Sequence, residues 1–538
     1  MALSEITLRA NNNNCPSSRG VSQTRQTTLF DALGISQRRN KRLRRPQCPG
    51  DGQENISPDD GNDANTTAIA AKRIRTDAPI CTPPIQNLPP RRTAWSAAAI
   101  GGTRGLYSPY AALRTRQHHA VGPGCISTIG RFAAMVSPAA AVFRLYTDAD
   151  PQLNTLPLAC KYSSASGAQG GKLALADEGG HVSIFDTLNI DTAESAADAG
   201  LQPIARWRAH DNAVFDVEWS ADNTQAVTAS ADECCSLWDI ESQRQIGSFI
   251  GHSQTVRAVS WRREDHHCFA TASRDGAVMI WDVRCNKTRC EEGYAHRPVN
   301  IINRAHYGVW STKLSARGKK HITGGSVTAI QHLRHNTHLI ASAGSTSEVV
   351  KYWDVRMKAA SRASALPTPV ASSLLLSSTR RSRGTSSLVL DSDGTRLYTA
   401  CNDNRLYVHN AITPGLPIAQ LSAPEFECQS FNIGSAVSPC GRHIAAGSSN
   451  GSVVVWELDR FGYNSSGRRA VLQGHAKEAG CIAWYPGKDR TQLATCGDDG
   501  ILRIWEEDQI LADSARTDPT KRFFWGTSQV HSPKQPAL

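Results

Sequence analysis

A six-residue spacing between a turn residue and a tryptophan recurs along the chain and constrains its fold more than any other feature. Its clearest copies are Asp232 with Trp238, Asp275 with Trp281, Asn450 with Trp456 and Asp499 with Trp505. A unit of this size cannot bury its own apolar face, so it must stack on copies of itself. The period therefore predicts a β-propeller.

Short β-branched runs separated by Gly, Asp, Asn and Ser extend from about Leu106 to Trp525, a pattern typical of many short strands joined by turns. Seven units result when the runs are aligned on the strand that ends each copy, at intervals of 43 to 72 residues. The closing residues are Phe185, Trp238, Trp281, Trp353, His409, Trp456 and Trp505. We therefore expect an all-β, seven-bladed propeller over residues 106–530, followed by a short tail at 531–538.

The units share polar residues at fixed distances from the closing position. A threonine lies ten residues before it, an aspartate six before it, and a histidine lies in the preceding connection. These residues are Thr228, Thr271, Thr399 and Thr495; Asp232, Asp275, Asp403 and Asp499; and His210, His252 and His475. We expect them to form buried hydrogen-bonded networks with the indole N–H, which is a structural role. Four units depart from the pattern, at Phe185, Ser347, His409 and Asn450.

Charge and composition set the first fifth of the chain apart. The whole chain has a net charge of +11, and residues 1–105 hold 15 basic and 8 acidic residues, or +7 of that excess. This segment is rich in Asn, Ser, Thr, Pro and Arg and has no sustained periodicity, so we expect a disordered basic tail. The body is closer to neutral, which argues against a domain that binds nucleic acid over its whole surface, and any DNA contact is expected to be indirect.

The basic run 38–45 in this tail indicates a nuclear localisation signal, and a solvated charge cluster or a weak DNA-contact patch stays open as the alternative. The residues concerned are Arg38, Arg39, Lys41, Arg42, Arg44 and Arg45. The 15 cysteines lack disulfide-like spacing, and no signal peptide precedes them. No apolar stretch approaches the roughly 18 residues that span a bilayer. We expect a soluble nuclear protein with reduced thiols and no contact with a membrane.

Two long stretches resemble the denticleless family of WD-repeat propellers. They are Trp207 to Trp219 and Ser273 to Lys287. Ser378 to Arg380 with Ser386 to Asp391, and Phe524 to Gln529, match the same family's pattern. The resemblance covers roughly residues 105 to 530. It implies a substrate receptor of cullin-4 ubiquitin ligases that acts with the replication clamp.

The resemblance also assigns a role to two Trp-Asp-Val-Arg sequences. In each of them an arginine follows the closing tryptophan by three residues, where the chain leaves the strand at one rim of the propeller. They comprise Trp281, Asp282 and Arg284 in one copy and Trp353, Asp354 and Arg356 in the other. A planar guanidinium there can offer several donors to a partner's carbonyls or carboxylates. In the family such a pair docks on the DNA-damage-binding adaptor of the ligase. The alternative is that each arginine is only a solvent-exposed residue at the edge of a blade.

The tail segment from Gln26 to Leu33 resembles a sliding-clamp-binding peptide. Gln26, Leu29, Phe30 and Leu33 are its candidate contacts. In such a peptide, a polar side chain and apolar side chains enter a groove on the clamp, and the basic residues that follow contact acidic residues at the edge of the groove. The segment departs from the pattern because Ala32-Leu33 occupies the place of the aromatic pair, although Phe30 can supply a ring in a shifted register. A short amphipathic turn is the alternative.

Two long connections interrupt the regular spacing, and insertions of this kind often carry binding. The first contains Arg380, Arg381 and Arg383, which are candidate substrate contacts because the family resemblance runs through it. The second contains Lys313, Arg317, Lys319 and Lys320, for which a solvated loop is favoured.

No enzyme signal survives inspection. Gly447 to Gly451 matches the esterase nucleophile pattern in letters but occupies a blade turn. Neither Cys285 and Cys290 with His296 nor Cys268 with its two neighbouring histidines has a complete set of zinc ligands. We therefore expect no catalytic residues, no metal and no cofactor.

The resulting hypothesis is a noncatalytic receptor that brings clamp-bound replication and cell-cycle proteins to a cullin-4 ligase for ubiquitination and proteasomal degradation, in S phase or after DNA damage. Its expected partners are the adaptor, cullin-4 and the RING subunit through the adaptor, and the sliding clamp (PCNA) with its bound substrates. A chromatin- or histone-binding WD-repeat scaffold without ligase association is the alternative. The adaptor's copurification would separate the two.

Overall fold

A computed structural model of the chain describes residues 128–147, 153–166, 170–188, 190, 200–290, 293–308, 323–357, 367–374, 384–459, 467–487, 489–518 and 526–531. These residues form an all-β propeller in which antiparallel sheets follow one another along the chain. The basic tail predicted for residues 1–105 lies outside the described residues, as does the tail predicted for 531–538 apart from His531.

Three sheets consist of four strands that are consecutive along the chain. The first contains β3 (Pro157–Tyr162), β4 (Lys172–Asp177), β5 (His181–Asp186) and β6 (Ala205–Arg208). Another contains β19 (Val327–His332), β20 (Leu339–Gly344), β21 (Ser347–Asp354) and β22 (Ala371–Ser372). The next contains β23 (Thr385–Leu390), β24 (Arg396–Cys401), β25 (Arg405–Asn410) and β26 (Ala419–Leu421). The short hairpin of β17 (His306–Gly308) and β18 (Thr323–Gly325) precedes β19.

Two neighbouring sheets are linked by a hairpin that leaves one and joins the other. One is formed by β7 (Val214–Trp219), β8 (Gln225–Ser230), β9 (Cys234–Asp239) and β10 (Arg244–Ile250). The following sheet is formed by β11 (Val256–Trp261), β12 (Cys268–Ser273), β13 (Val278–Asp282) and β16 (Asn300–Ile302). Between β13 and β16 the chain makes β14 (Lys287–Cys290) and β15 (Gly293–His296), and β15 pairs in parallel with β10 of the preceding sheet. The earlier sheet thereby gains two strands.

Both ends of the described chain meet in one ten-stranded sheet. Its strands are β27 (Ser435–Val437), β28 (His443–Gly447), β29 (Ser452–Glu457), β30 (Arg469–Gln473), β31 (Ala479–Trp484), β32 (Gln492–Gly497), β33 (Ile501–Glu507), β34 (Gly526–His531), β1 (Met135–Ser137) and β2 (Val142–Arg144). Strands β1 and β2 both pair with β33. Strand β34 lies between β30 and β1 and pairs with both. The last strands are therefore closed by the N-terminal side of the domain, with the C-terminal strand as a bridge.

Short helices support this closure. Two 3-10 helices, Ile129–Ala134 and Ala139–Ala141, flank β1. The helix α1 (Gln509–Thr517) begins at Asp508, whose side chain accepts a hydrogen bond from the backbone N–H of Leu511 at 2.9 Å, as an N-cap residue does. Ala512 and Ala515 of α1 pack against Val136 of β1.

Each run of antiparallel strands has a first strand, and the ten-stranded sheet contains two such runs, which begin at β27 and β31. These first strands contact one another in a closed circle. Strand β3 contacts β7, β7 contacts β11, and the circle continues through β19, β23, β27 and β31 back to β3. Because strands alternate in direction, the turns after the first and third strands of each sheet lie at one end, which we call the lower rim. His267 and Val283 meet there through a backbone hydrogen bond, as do His338 and Val355. The turns after the second and fourth strands form the upper rim.

The middle strands of each sheet are buried on both faces, since every sheet packs between two others. Small residues such as Ala270 and Ala272 in β12 are fully buried and let the sheets approach closely. Larger apolar residues fill the space between sheets, among them Trp281, Trp456 and Trp505, which are also fully buried. Each of the seven closing residues found in the sequence lies near the end of a third strand. The core thus explains the tryptophan period.

Candidate partner-docking site

The predicted polar networks are present in three sheets, which confirms this part of the sequence analysis. In the clearest, His252 Nε2 lies 2.8 Å from Thr271 Oγ1 and its Nδ1 lies 3.0 Å from Asp275 Oδ2. Trp281 Nε1 donates to Thr271 Oγ1 at 2.8 Å. The sets built on His210 and His475 have the same connections. Each buried polar group is satisfied by the next, so these residues are internal scaffolding.

A fourth network, which the sequence analysis missed, uses serine in place of threonine. Trp353 Nε1 donates to Ser342 Oγ at 2.8 Å, and His306 Nε2 lies 2.9 Å from the same oxygen. Ser342 precedes Trp353 by eleven residues instead of ten because the pairing of β20 with β21 shifts register between Ser342 and Gly344. Searching for a hydroxyl at either offset would have found it.

The two Trp-Asp-Val-Arg sequences form turns of the same geometry at the lower rim. Arg284 Nε donates to Asp282 Oδ1 at 2.9 Å and its Nη2 donates to Asp282 Oδ2 at 2.7 Å. Arg356 Nε and Nη2 bind Asp354 in the same way, at 3.0 and 2.7 Å. In both turns the backbone N–H of the arginine also donates to the aspartate. Each guanidinium is therefore held in one orientation by a bidentate ion pair.

The aspartate of this turn has a structural role that other sheets share. Asp186 accepts from the backbone N–H of Leu188, and Asn410 accepts from that of Ile412, at the equivalent turns. Such bonds are typical of Asx turns. Among the seven closing residues, an arginine follows three residues later only after Trp281 and Trp353. The arginine is the feature that the scaffold does not require.

Exposure separates the accessible members of the predicted docking set from the buried ones. The side chains of Arg284 and Arg356 are 54% and 61% exposed, whereas those of Asp282 and Asp354 are 16% exposed. Trp281 and Trp353 are buried. Only the arginines of this set therefore offer most of their side chain to a partner, and the tryptophans and aspartates hold them in place.

The ion pairs persist over a wide range of pH. The side-chain hydrogen bond from Arg284 lowers the pKa of Asp282 to about 2, and Arg356 has the same effect on Asp354. Asp282 and Asp354 consequently stay ionised near neutral pH. Asp265 Oδ2 lies 3.4 Å from Arg284 Nη2 and adds a second carboxylate to the first turn, a contact the sequence analysis did not identify.

The two turns belong to neighbouring sheets that are joined at the lower rim. Arg262, just after β11, reaches the turn between β19 and β20. Its Nη2 donates to Thr337 Oγ1 at 3.1 Å and lies 3.2 Å from His338 Nδ1. His338 in turn accepts from the backbone N–H of Val355 through its carbonyl. The structure thus brings Arg284 and Arg356 onto adjacent parts of one rim.

The other sequence-predicted sites lie outside the described residues. These are the clamp-binding set Gln26, Leu29, Phe30 and Leu33; the localisation set Arg38, Arg39, Lys41, Arg42, Arg44 and Arg45; the substrate set Arg380, Arg381 and Arg383; and the loop residues Lys313, Arg317, Lys319 and Lys320. Within the described part of the chain, no group of three or more His, Cys, Asp or Glu side chains is placed to hold a metal ion. No helix among the described residues is long and apolar enough to cross a membrane.

Comparison with protein families finds the WD domain, G-beta repeat, at residues 201–239, 243–282, 425–457 and 467–506. Each match ends one residue after one of four closing positions, Trp238, Trp281, Trp456 and Trp505. Three of these four units contain the complete His, Thr, Asp and Trp network. The unit that closes at Trp353 lies outside the matched residues although its serine-based network is intact.

Comparison with individual proteins finds denticleless proteins of several animals. The chain is 33% identical over 377 residues to the Denticleless protein homolog of Gallus gallus, covering 67% of this chain and 49% of the relative. It is 31% identical over 396 residues to the Denticleless protein homolog of Homo sapiens, covering 71% and 50%. It is 30% identical over 378 residues to Protein lethal(2)denticleless of Drosophila melanogaster, covering 66% and 46%. The chain spans about half the length of the curated relatives it matches.

Proposed function

Because the chain belongs to the denticleless family of WD-repeat proteins, we propose that it is a noncatalytic substrate receptor of a cullin-4 ubiquitin ligase. It recruits replication and cell-cycle proteins bound to the sliding clamp, for ubiquitination and proteasomal degradation in S phase or after DNA damage. The observation that carries the proposal is the pair of equally built arginine turns on neighbouring sheets of the lower rim.

The propeller of this receptor has seven blades. The closed circle of first strands, β3, β7, β11, β19, β23, β27 and β31, supports this count. In the ten-stranded sheet, β27 to β30 form the sixth blade and β31 to β33 with β1 and β2 form the seventh. Strand β34 pairs with a strand of each, so the two blades form one continuous sheet.

The chemistry of the arginine turns suits a protein partner. Each arginine is already paired with an aspartate, so the turn presents little net charge. It presents N–H donors in a fixed plane instead, and in the described residues neither Nη1 has a hydrogen-bond partner. Such donors fit carbonyl and carboxylate oxygens of a partner, and little side-chain entropy remains to be lost on binding. The adaptor of the ligase is the partner that the family resemblance assigns to them.

The remaining roles are divided along the chain. The upper rim and the inserted loops hold the degron of the substrate, with Arg380, Arg381 and Arg383 as candidate contacts. Gln26 to Leu33 contacts the sliding clamp, and the basic run at 38–45 directs the protein to the nucleus. Recruitment works by proximity, because bridging raises the effective concentration of substrate lysines near a ligase-bound conjugating enzyme.

Affinity purification from dividing cells, followed by mass spectrometry, tests the proposal. Wild-type protein is expected to copurify the adaptor and cullin-4, together with the clamp. The Arg284→Ala/Arg356→Ala variant is expected to lose the adaptor and cullin-4. Retention of both by the variant would contradict the assignment of the docking site. Their absence from the wild-type sample would favour a chromatin-binding scaffold without a ligase.

A further inference from the structure

One side chain links the second arginine turn to the blade that carries the first. Asn300, the first residue of β16, lies in the sheet that contains Arg284. Its Nδ2 donates to the carbonyl oxygen of Val355 at 3.0 Å and to that of Met357 at 2.8 Å. These carbonyls flank Arg356 on both sides. The Asn300 amide therefore holds the backbone of the second arginine turn from the blade that contains the first.

The orientation of this amide follows from its partners. Two carbonyl oxygens can only accept, so they face the NH2 group of Asn300. The other end of the amide, Oδ1, accepts from the backbone N–H of Ile301 at 2.9 Å. Both ends are thus satisfied only in this orientation.

Asn300 occupies a position at which five other fourth strands have a very small residue. It pairs with Ile280, the residue just before the closing Trp281. The equivalent residues of the other fourth strands are Ala205, Gly247, Ala371, Ala419 and Ala470. A larger polar residue at this position is therefore not a requirement of the fold. It stands where the blade that carries Arg284 meets the turn of Arg356.

The surroundings of Asn300 extend the surface that a partner would meet. Its neighbour Val299 is 52% exposed, and Met357, whose carbonyl it binds, is 57% exposed. Apolar side chains beside fixed polar anchors are common at the centre of protein interfaces. Asn300 would thus fix the Arg356 turn and the backbone that carries Met357.

We propose that Asn300 is a positioning residue of the docking site, which locks the Arg356 turn to the blade of Arg284 so that both guanidinium groups meet the adaptor as one rigid unit. This inference rests on the proposed function. A partner that binds two anchors gains affinity when their spacing is fixed beforehand, because no ordering cost arises on binding.

Titration of the purified full-length chain with the purified adaptor tests this role. Asn300→Ala places here the residue that most of the other sheets have, so the fold is expected to tolerate it. Loss of the two bonds is expected to weaken binding about 5- to 20-fold. Asn300→Asp turns a carboxylate oxygen toward two carbonyls and is expected to weaken it further. Asn450→Ala is the matched control, since its Nδ2 donates to the Glu425 carbonyl and its Oδ1 accepts from Ser452 at the upper rim.

Hydrogen exchange of the free protein supplies a readout that does not depend on the adaptor. Amides of residues 353–357 are expected to exchange faster in Asn300→Ala than in wild type, and the control is expected to leave them unchanged. Unchanged exchange, or unchanged adaptor affinity while Arg284→Ala/Arg356→Ala abolishes binding, would overturn the role of Asn300 and leave the proposed function standing. Absence of binding by the wild type would overturn both.

Discussion

The indole N–H of Trp281 donates to the hydroxyl of Thr271 at 2.8 Å, and the same hydroxyl lies 2.8 Å from His252 Nε2. One buried oxygen thus satisfies two other buried groups. Thr271→Val keeps the shape of the side chain but leaves the indole and the imidazole without this partner. We expect it to lower the free energy of unfolding by about 1 to 3 kcal/mol.

Denaturant unfolding of purified protein measures this loss. Thr288→Val, on the exposed strand β14, is the matched control and is expected to change the free energy by less than about 0.5 kcal/mol. Equal stability of the two variants would show that the network adds nothing to the blade.

Strand β34 closes the ten-stranded sheet, since it pairs with five residues of β30 and two of β1. Deleting residues 519–538 would remove β34 and leave the edges of both strands unpaired. We expect a loss of about 3 to 5 kcal/mol in the free energy of unfolding and a tendency to aggregate, because free edges invite pairing between molecules. Thermal melting and light scattering would detect both effects, and an unchanged melting temperature would contradict the bridging role of β34.

The partly buried carboxyl of Glu218 lies on β7, one of the first strands that form the closed circle at the centre of the propeller. Burial raises its pKa from 4.5 to about 7; Asp216 adds to the rise and Lys161 opposes it. The unfolded chain releases this proton near pH 4.5 and the folded chain near pH 7. Stability is therefore lost as the pH rises between these values. We expect Glu218→Gln to melt at a higher temperature than wild type at pH 8, and at a similar temperature at pH 4.5.

Thermal melts at the two pH values measure this difference. Glu264→Gln serves as a control on an exposed side chain and is expected to shift neither melt. A Glu218→Gln variant that is no more stable than wild type at pH 8 would show that Lys161 compensates fully for the burial of the carboxylate.

The docking ion pairs are expected to be insensitive to pH in the physiological range. The folded pKa of Asp282 and of Asp354 is about 2, below the ordinary value of 3.8. A depressed carboxyl pKa stabilises the fold above the ordinary value, and that contribution is lost only as the pH falls from about 4 toward 2. We therefore expect the titration of Asp282 and Asp354 to change the affinity for the adaptor by less than about threefold between pH 6 and 8. A steep dependence on pH would assign binding to another titrating group.

The sequence predicted the repeating scaffold because three blades use the same buried groups at the same offsets. The His252, Thr271, Asp275 and Trp281 network follows from spacing alone, and the structure confirms it. The spacing did not predict the role of Ser342, because a register shift between β20 and β21 makes its distance from Trp353 one residue longer than in the other networks.

Pairing between distant segments could not be predicted. Strand β15 joins β10 of the preceding sheet, and β34 joins β30 and β1, because those edges are free in the folded molecule. Nothing in a local pattern specifies which edge will be free. The same holds for Asn300, whose partners at Val355 and Met357 are more than 50 residues away and become neighbours only when two blades stack.

Calorimetric titration of the purified adaptor into the full-length chain tests the central claim most directly. Wild type is expected to bind, and Arg284→Ala/Arg356→Ala is expected to weaken binding at least about 100-fold while the melting temperature stays within a few degrees of wild type. Arg284→Lys/Arg356→Lys keeps the charges but not the planar donors, and is expected to weaken binding about 10-fold or more. Wild-type affinity in the double alanine variant would contradict the claim that these arginines form the docking surface.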